Sequence, residues 1–218
     1  MNRLFNPDNI VMQFLSMIGD LVVLNVIFII SCIPIITIGA STSALYYVSL
    51  KLLRGEAPYI GKNFWKSFRA NFKQATLIWL MFLAAGGLLV GDFLIIHSLN
   101  TGIFAVIRVI LWIISAILVS MFLYVFPFIS HFQCTTKQAV RNSLLLAIGQ
   151  LPYTILLIVL HGLIPFLATR SARLFSVFGM VGTICGFSVI AFTACIIFDR
   201  IFKKIEPEEE PAAPSRWE

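Results

Sequence analysis

Five apolar blocks, near residues 16–38, 75–97, 103–126, 151–168 and 176–199, constrain this chain more than anything else in it. Each is about 20 residues long, which a helix rising about 1.5 Å per residue needs to cross roughly 30 Å of hydrocarbon. Within a bilayer the backbone must satisfy its own hydrogen bonds, and for runs of this length that means helix. The expected fold is all-α: one polytopic transmembrane helical bundle over residues 1–204, with five spans and a sixth possible. Composition agrees, since 59% of residues are hydrophobic and 12% charged, against about half and a quarter in soluble domains.

The possible sixth span is Ile35 to Leu53, which is moderately apolar and set off by Pro34 and the small run Gly39-Ala40-Ser41-Thr42-Ser43. Its pattern reads as a kinked end followed by an interfacial helix. The rival is a span or re-entrant turn, which the small residues permit if the segment is buried against protein.

Basic residues set the orientation. In the five-span arrangement the 39–74 segment carries six Lys and Arg, the 127–150 loop two and the chain after Phe198 four; only Arg3, Arg108, Arg170 and Arg173 fall opposite. The positive-inside rule puts the first group and the C-terminus in the cytoplasm, and the N-terminus outside unless the sixth span exists. The net charge of +6 is thereby matched to an anionic membrane surface, not to nucleic acid. No signal-peptide pattern precedes the first block, so it is expected to remain in place. The tail over 205–218 is acidic and proline-rich, a composition that predicts disorder.

Two cytoplasmic helices are expected to lead into outward-going spans, the first of them without a break. In Lys62 to Lys73, the cations Lys62, Lys66, Arg69 and Lys73 fall within roughly 60° at about 100° per residue, while Phe64, Trp65, Phe68 and Phe72 share the adjacent arc. Such a helix lies on an anionic inner leaflet, as an orienting anchor or as a docking surface for a partner. Lys137 to Leu144, with Lys137 and Arg141 on it, is a shorter echo of the same design.

Ionisable residues inside apolar blocks are the candidate sites. Asp20, Asp92, Arg108 and His161 are expected to form one polar layer in the outer half, with His97, Arg170 and Arg173 nearby, either as ion pairs fixing helix register or as the lining of a cavity for a polar substrate or proton. Gly19-Asp20 and Gly91-Asp92 suggest intramembrane aspartyl proteolysis. That chemistry is set aside because no tyrosine precedes Asp20 and Leu89 stands where a G-x-G-D pattern needs glycine. No phosphate-binding loop, H-E-x-x-H or G-x-S-x-G is present, and Cys32, Cys134, Cys185 and Cys195 have neither disulfide nor zinc spacing. No enzyme activity, cofactor or metal is expected. Gly87 with Gly91, and Gly182 with Gly186, are spaced for close helix packing, within the bundle or against another subunit.

The runs Leu4-Phe5-Asn6-Pro7-Asp8, Cys32 to Thr42, Ala44-Leu45-Tyr46-Tyr47 and Phe64 to Thr76 carry a resemblance. In their order and spacing the chain resembles the YesL family of bacterial membrane proteins, most densely over the first 80 residues. The resemblance implies a multi-pass protein of the bacterial inner membrane, encoded beside carbohydrate ABC importers and glycan-degrading enzymes, with no catalytic residues to carry over. The function it implies is a non-enzymatic subunit or accessory of an oligosaccharide ABC importer, with the lipid bilayer and the permease subunits as partners and the sugar met only indirectly. The alternative is an autonomous secondary transporter using the outer polar layer.

Overall fold

The computed structural model describes residues 10–56, 59–98 and 103–205. The tail from residue 206 and the Leu4–Asp8 run lie outside them. Among the described residues there is no strand, and the chain is an all-α bundle. Its helices are α1 (Ile10–Cys32), a 3-10 turn (Ile35–Thr37), α2 (Ile38–Leu53), α3 (Ile60–Ser98), α4 (Ile103–His131), α5 (Thr136–Gly149), α6 (Leu151–Ala168), α7 (Ala172–Val181), a π segment (Gly182–Gly186) and α8 (Phe187–Lys203).

Five stretches are long and apolar enough to cross a membrane: Leu15–Cys32, Ile35–Leu53, Ile60–Ile96, Val106–His131 and Phe175–Lys203. The set differs from the sequence expectation at two places. Ile35–Leu53 enters it, and the 151–168 block becomes α6, which reaches span length only together with α5 across a bend of 100°. The chain is thus a multi-pass membrane protein of five or six crossings.

The interfacial reading of Ile35–Leu53 is corrected. An interfacial helix keeps one face wet, yet α2 buries Gly39, Ala40, Ser41, Ser43, Ala44, Leu45, Tyr46, Val48, Ser49 and Leu50, positions spread all round its axis. The hydroxyls of Ser41 and Thr42 lower its hydropathy without breaking the helix, because they bond to backbone. Thr42 Oγ1 donates to the Ile38 carbonyl at 2.7 Å, and Ser41 Oγ reaches the carbonyls of Thr37 and Ser31.

Packing centres on this helix. Gly39 lies where α2 meets α3, and a Cβ there would collide with the Ala75 carbonyl oxygen and stand 2.7 Å from Trp79 Cβ. At its other end α2 stops in a Schellman turn. Gly55 takes a φ of +73°, and the N–H groups of Gly55 and Glu56 donate to the carbonyls of Leu52 and Lys51. Tyr46, Tyr124, Phe198 and Phe202 continue the core by edge and stacked contacts, with Phe198 5.8 Å from Tyr46 and 5.4 Å from Tyr124. The adjoining ends of α3 and α4 expose Leu88, Leu94, Val106 and Trp112, an apolar surface fit for lipid.

Candidate functional site

The last helix carries an irregularity that organises the site. In the π segment the hydrogen-bond ladder widens by one residue, so a carbonyl is left without its α-helical donor. Asn25, fully buried on α1, supplies the replacement. Its Nδ2 donates to the carbonyls of Gly182 at 3.1 Å and Thr183 at 2.8 Å, and its Oδ1 accepts from the Ser188 N–H at 3.1 Å. The Ser188 hydroxyl in turn lies 2.7 Å from the Leu21 carbonyl. One side chain thus holds both edges of the irregular turn.

Beside this turn is a cavity of about 550 Å³ between α2, α4, α6 and the last helix. Its walls are aromatic and aliphatic, Phe122, Phe126, Phe178 and Phe187 among them, and the polar side chains on its wall are Thr42, Tyr46 and His161. His161 Nδ1 lies 2.9 Å from the Leu157 carbonyl and its Nε2 3.2 Å from the Tyr46 hydroxyl. A carbonyl only accepts, so Nδ1 carries a proton, and in the neutral ring Nε2 accepts from the Tyr46 hydroxyl.

The expected polar layer is not assembled. His161 is paired with Tyr46, whereas Arg108 donates through Nη2 to the Ile96 carbonyl at 3.3 Å. Asp92 is exposed and Asp20 half-buried. Among the described residues the ion pairs are Arg54–Asp199 at 2.9 Å and Lys203–Asp199 at 2.7 Å, neither involving the four. The His97 side chain lies outside the described ones. No group of three or more metal-ligating side chains occurs among the described residues.

The glycine pairs also divide. A Cβ on Gly87 or Gly91 would meet no atom within 4 Å, so neither supports a close helix contact inside the bundle. Gly182 and Gly186 form the ends of the π segment, and Gly182 is used through its carbonyl.

The Lys62–Lys73 stretch runs without a break into the span that follows it, as its sequence led one to expect. It is the beginning of α3, which runs unbroken for 39 residues, about 58 Å of helix at 1.5 Å per residue. Lys62, Lys66, Arg69 and Lys73 are all exposed, while Phe64 is buried and Phe68 half-buried. Trp65 and Phe72 keep exposed edges, and successive rings along Trp65, Phe68 and Phe72 are 5.2 and 5.5 Å apart. On α5, which begins in a Thr135/Gln138 capping box, Lys137 and Arg141 are exposed. Arg141 borders a second concavity of about 670 Å³ with Gln138, Asn142 and Ile205.

Residues 21–93 match DUF624, a family described as a protein of unknown function. The matched stretch takes in Asn25, all of α2 and most of α3, including the basic-aromatic turns and the open glycine face. The chain is also similar to the uncharacterized protein YteU of Bacillus subtilis (strain 168), with 29% identity over 139 residues, 58% of this chain and 62% of the relative. It thus spans less than two thirds of that relative's length. No solved structure matches the chain.

Asn25 and Tyr46 are site residues that sequence reasoning missed. Asn25 had a usable signal, since an amide in the middle of an apolar block seeks a partner on another helix. Tyr46 had none, because only the fold brings it to His161.

Proposed function

We propose that the chain is a YesL-type protein of the bacterial cell membrane that works as a non-enzymatic subunit or accessory of a carbohydrate ABC importer, stabilising or regulating it. One observation carries this reading: α3 joins two surfaces that the bundle does not use. Its basic-aromatic start is exposed, and further along the same helix Gly87 and Gly91 leave space that no neighbouring atom fills. Glycines on a span's surface let another helix approach closely. The exposed cations at the start of α3 would lie at the cytoplasmic surface, where a permease loop or ATPase subunit meets the membrane.

In this reading the C-terminus is cytoplasmic. With Ile35–Leu53 and α6 both counted as crossings, the N-terminus joins it there, which gathers Arg3 with the other inward cations. No ion pair among the described residues joins Asp20, Asp92, Arg108 or His161, which favours the accessory reading over autonomous transport.

The test is purification from the native host in mild detergent. Permease subunits of a carbohydrate importer are expected to co-purify, and Gly87→Leu with Gly91→Leu, which fills the open face, is expected to release them. Isolation as a lone protein, with sugar uptake unchanged in its absence, would overturn the reading. Lys66→Glu with Arg69→Glu is expected to disturb topology or assembly.

A further inference from the structure

We propose that the cavity beside the π segment is a binding site for a single-chain lipid amphiphile whose one polar end is an uncharged hydrogen-bond donor, with a long-chain alcohol as the simplest member of the class. The argument starts from proton accounting. The neutral His161 ring donates from Nδ1 to the Leu157 carbonyl at 2.9 Å and accepts on Nε2 the hydrogen bond of the Tyr46 hydroxyl at 3.2 Å. The Thr42 hydroxyl proton goes to the Ile38 carbonyl at 2.7 Å. Both hydroxyl oxygens therefore have their protons committed, and what they can still offer is lone pairs. A hydroxyl or amide N–H on the ligand satisfies them. A carboxylate, phosphate or ether oxygen meets only other acceptors.

The rest of the cavity selects the body of the ligand. Phe122, Phe126, Phe178 and Phe187 give an apolar wall, and a sugar there would leave most of its hydroxyls without partners. The volume of about 550 Å³ lies in the range of small-molecule sites, about 300–1,000 Å³. At about 30 Å³ per water-sized group it holds roughly 18 such groups, the size of one alkyl chain. Phe175, Val181 and Phe187 line the cavity and are exposed, so an apolar rim leads into it, one that an alkyl chain can cross. The site is independent of the importer reading, and either can fail without the other.

Saturable binding of tritiated 1-hexadecanol to the full chain in lipid nanodiscs tests the site. Unlabelled 1-hexadecanol is expected to compete, and hexadecyl methyl ether and palmitate to compete at least fivefold more weakly, about the worth of one net hydrogen bond. Tyr46→Phe is expected to weaken the alcohol about fivefold and leave the ether unchanged. Ala191→Phe, at a buried lining position, is expected to abolish saturable binding. Ile190→Trp, at a half-buried lining position, replaces it if Ala191→Phe is not monodisperse by size-exclusion chromatography. Uptake no greater than in protein-free discs, or equal competition by the alcohol, the ether and palmitate, would overturn the proposal.

Discussion

Arg54 and Asp199, 145 positions apart in the chain, meet through Nε and Nη2 on a single carboxylate oxygen at 2.9 Å. The pair fastens the turn that ends α2 to the last turns of α8, and the Schellman geometry at Gly55 is what stops the helix with Arg54 in place. Lys203 closes the cluster on the second carboxylate oxygen at 2.7 Å but is well exposed. Asp199→Asn is expected to lower stability by about 1.5–3 kcal/mol, the range for hydrogen bonds to charged groups. Lys203→Ala is expected to cost less than about 1 kcal/mol, as exposed ion pairs do. Thermal unfolding in detergent measures both, and an Arg54/Asp199 double-mutant cycle showing no coupling would sink the assignment.

Glycines in this protein are expected to respond in opposite directions. Gly39→Ala forces a methyl group against the Ala75 carbonyl, and overpacking of this kind costs about 1–3 kcal/mol. Gly87→Ala and Gly91→Ala meet no atom, and alanine gains up to about 1 kcal/mol of helix propensity over glycine in soluble helices. The purified chain should therefore lose melting temperature at position 39 and hold or gain it at 87 and 91.

Asn25→Leu is expected to leave the Gly182 and Thr183 carbonyls and the Ser188 N–H short of a partner. Interhelical hydrogen bonds in membranes are worth about 1–2 kcal/mol at the upper end, so the loss should be local before it is global. Amide hydrogen exchange should accelerate over residues 182–188 more than over α4. Uniform acceleration, or none, would argue against the latch.

Cys134 lies in the turn between α4 and α5, where burial pushes its thiol up and a hydrogen bond from Gln74 only partly offsets this. A raised thiol pKa means less thiolate at neutral pH, so reaction with a maleimide should be slow at pH 7 and climb as pH rises past the usual thiol range. The measurement needs a variant with Cys32, Cys185 and Cys195 replaced by alanine. An ordinary thiol pH profile would contradict the burial.

Apolar length made most of the helices legible, because in a membrane length and hydropathy leave helix as the one conformation. It failed at α2 for a physical reason: Ser41, Thr42 and Ser43 read as polar, but the first two return their hydrogen bonds to nearby carbonyls and the helix is enclosed by protein. The continuity of Lys62–Lys73 with the following span was legible, since nothing between Lys73 and Ile78 breaks a helix. The polar layer was not, because it was assigned by depth along each span, and depth says nothing about which side a residue faces. Asp92 and His161 face different surroundings for that reason. The Tyr46–His161 pair joins residues 115 apart, and periodicity has no reach over that distance.

The π segment has a last consequence, one of phase. A single residue beyond what an α-turn needs rotates all that follows by about 100°. Ala191, Ala194, Cys195 and Phe198 meet the core only because of that extra residue, and Cys195 Sγ lies 3.7 Å from the Tyr46 carbonyl on the face so produced. Deleting one residue within Gly182–Gly186 would act as a frameshift in space: the composition of the helix would barely change, yet α8 would present a different side to α2.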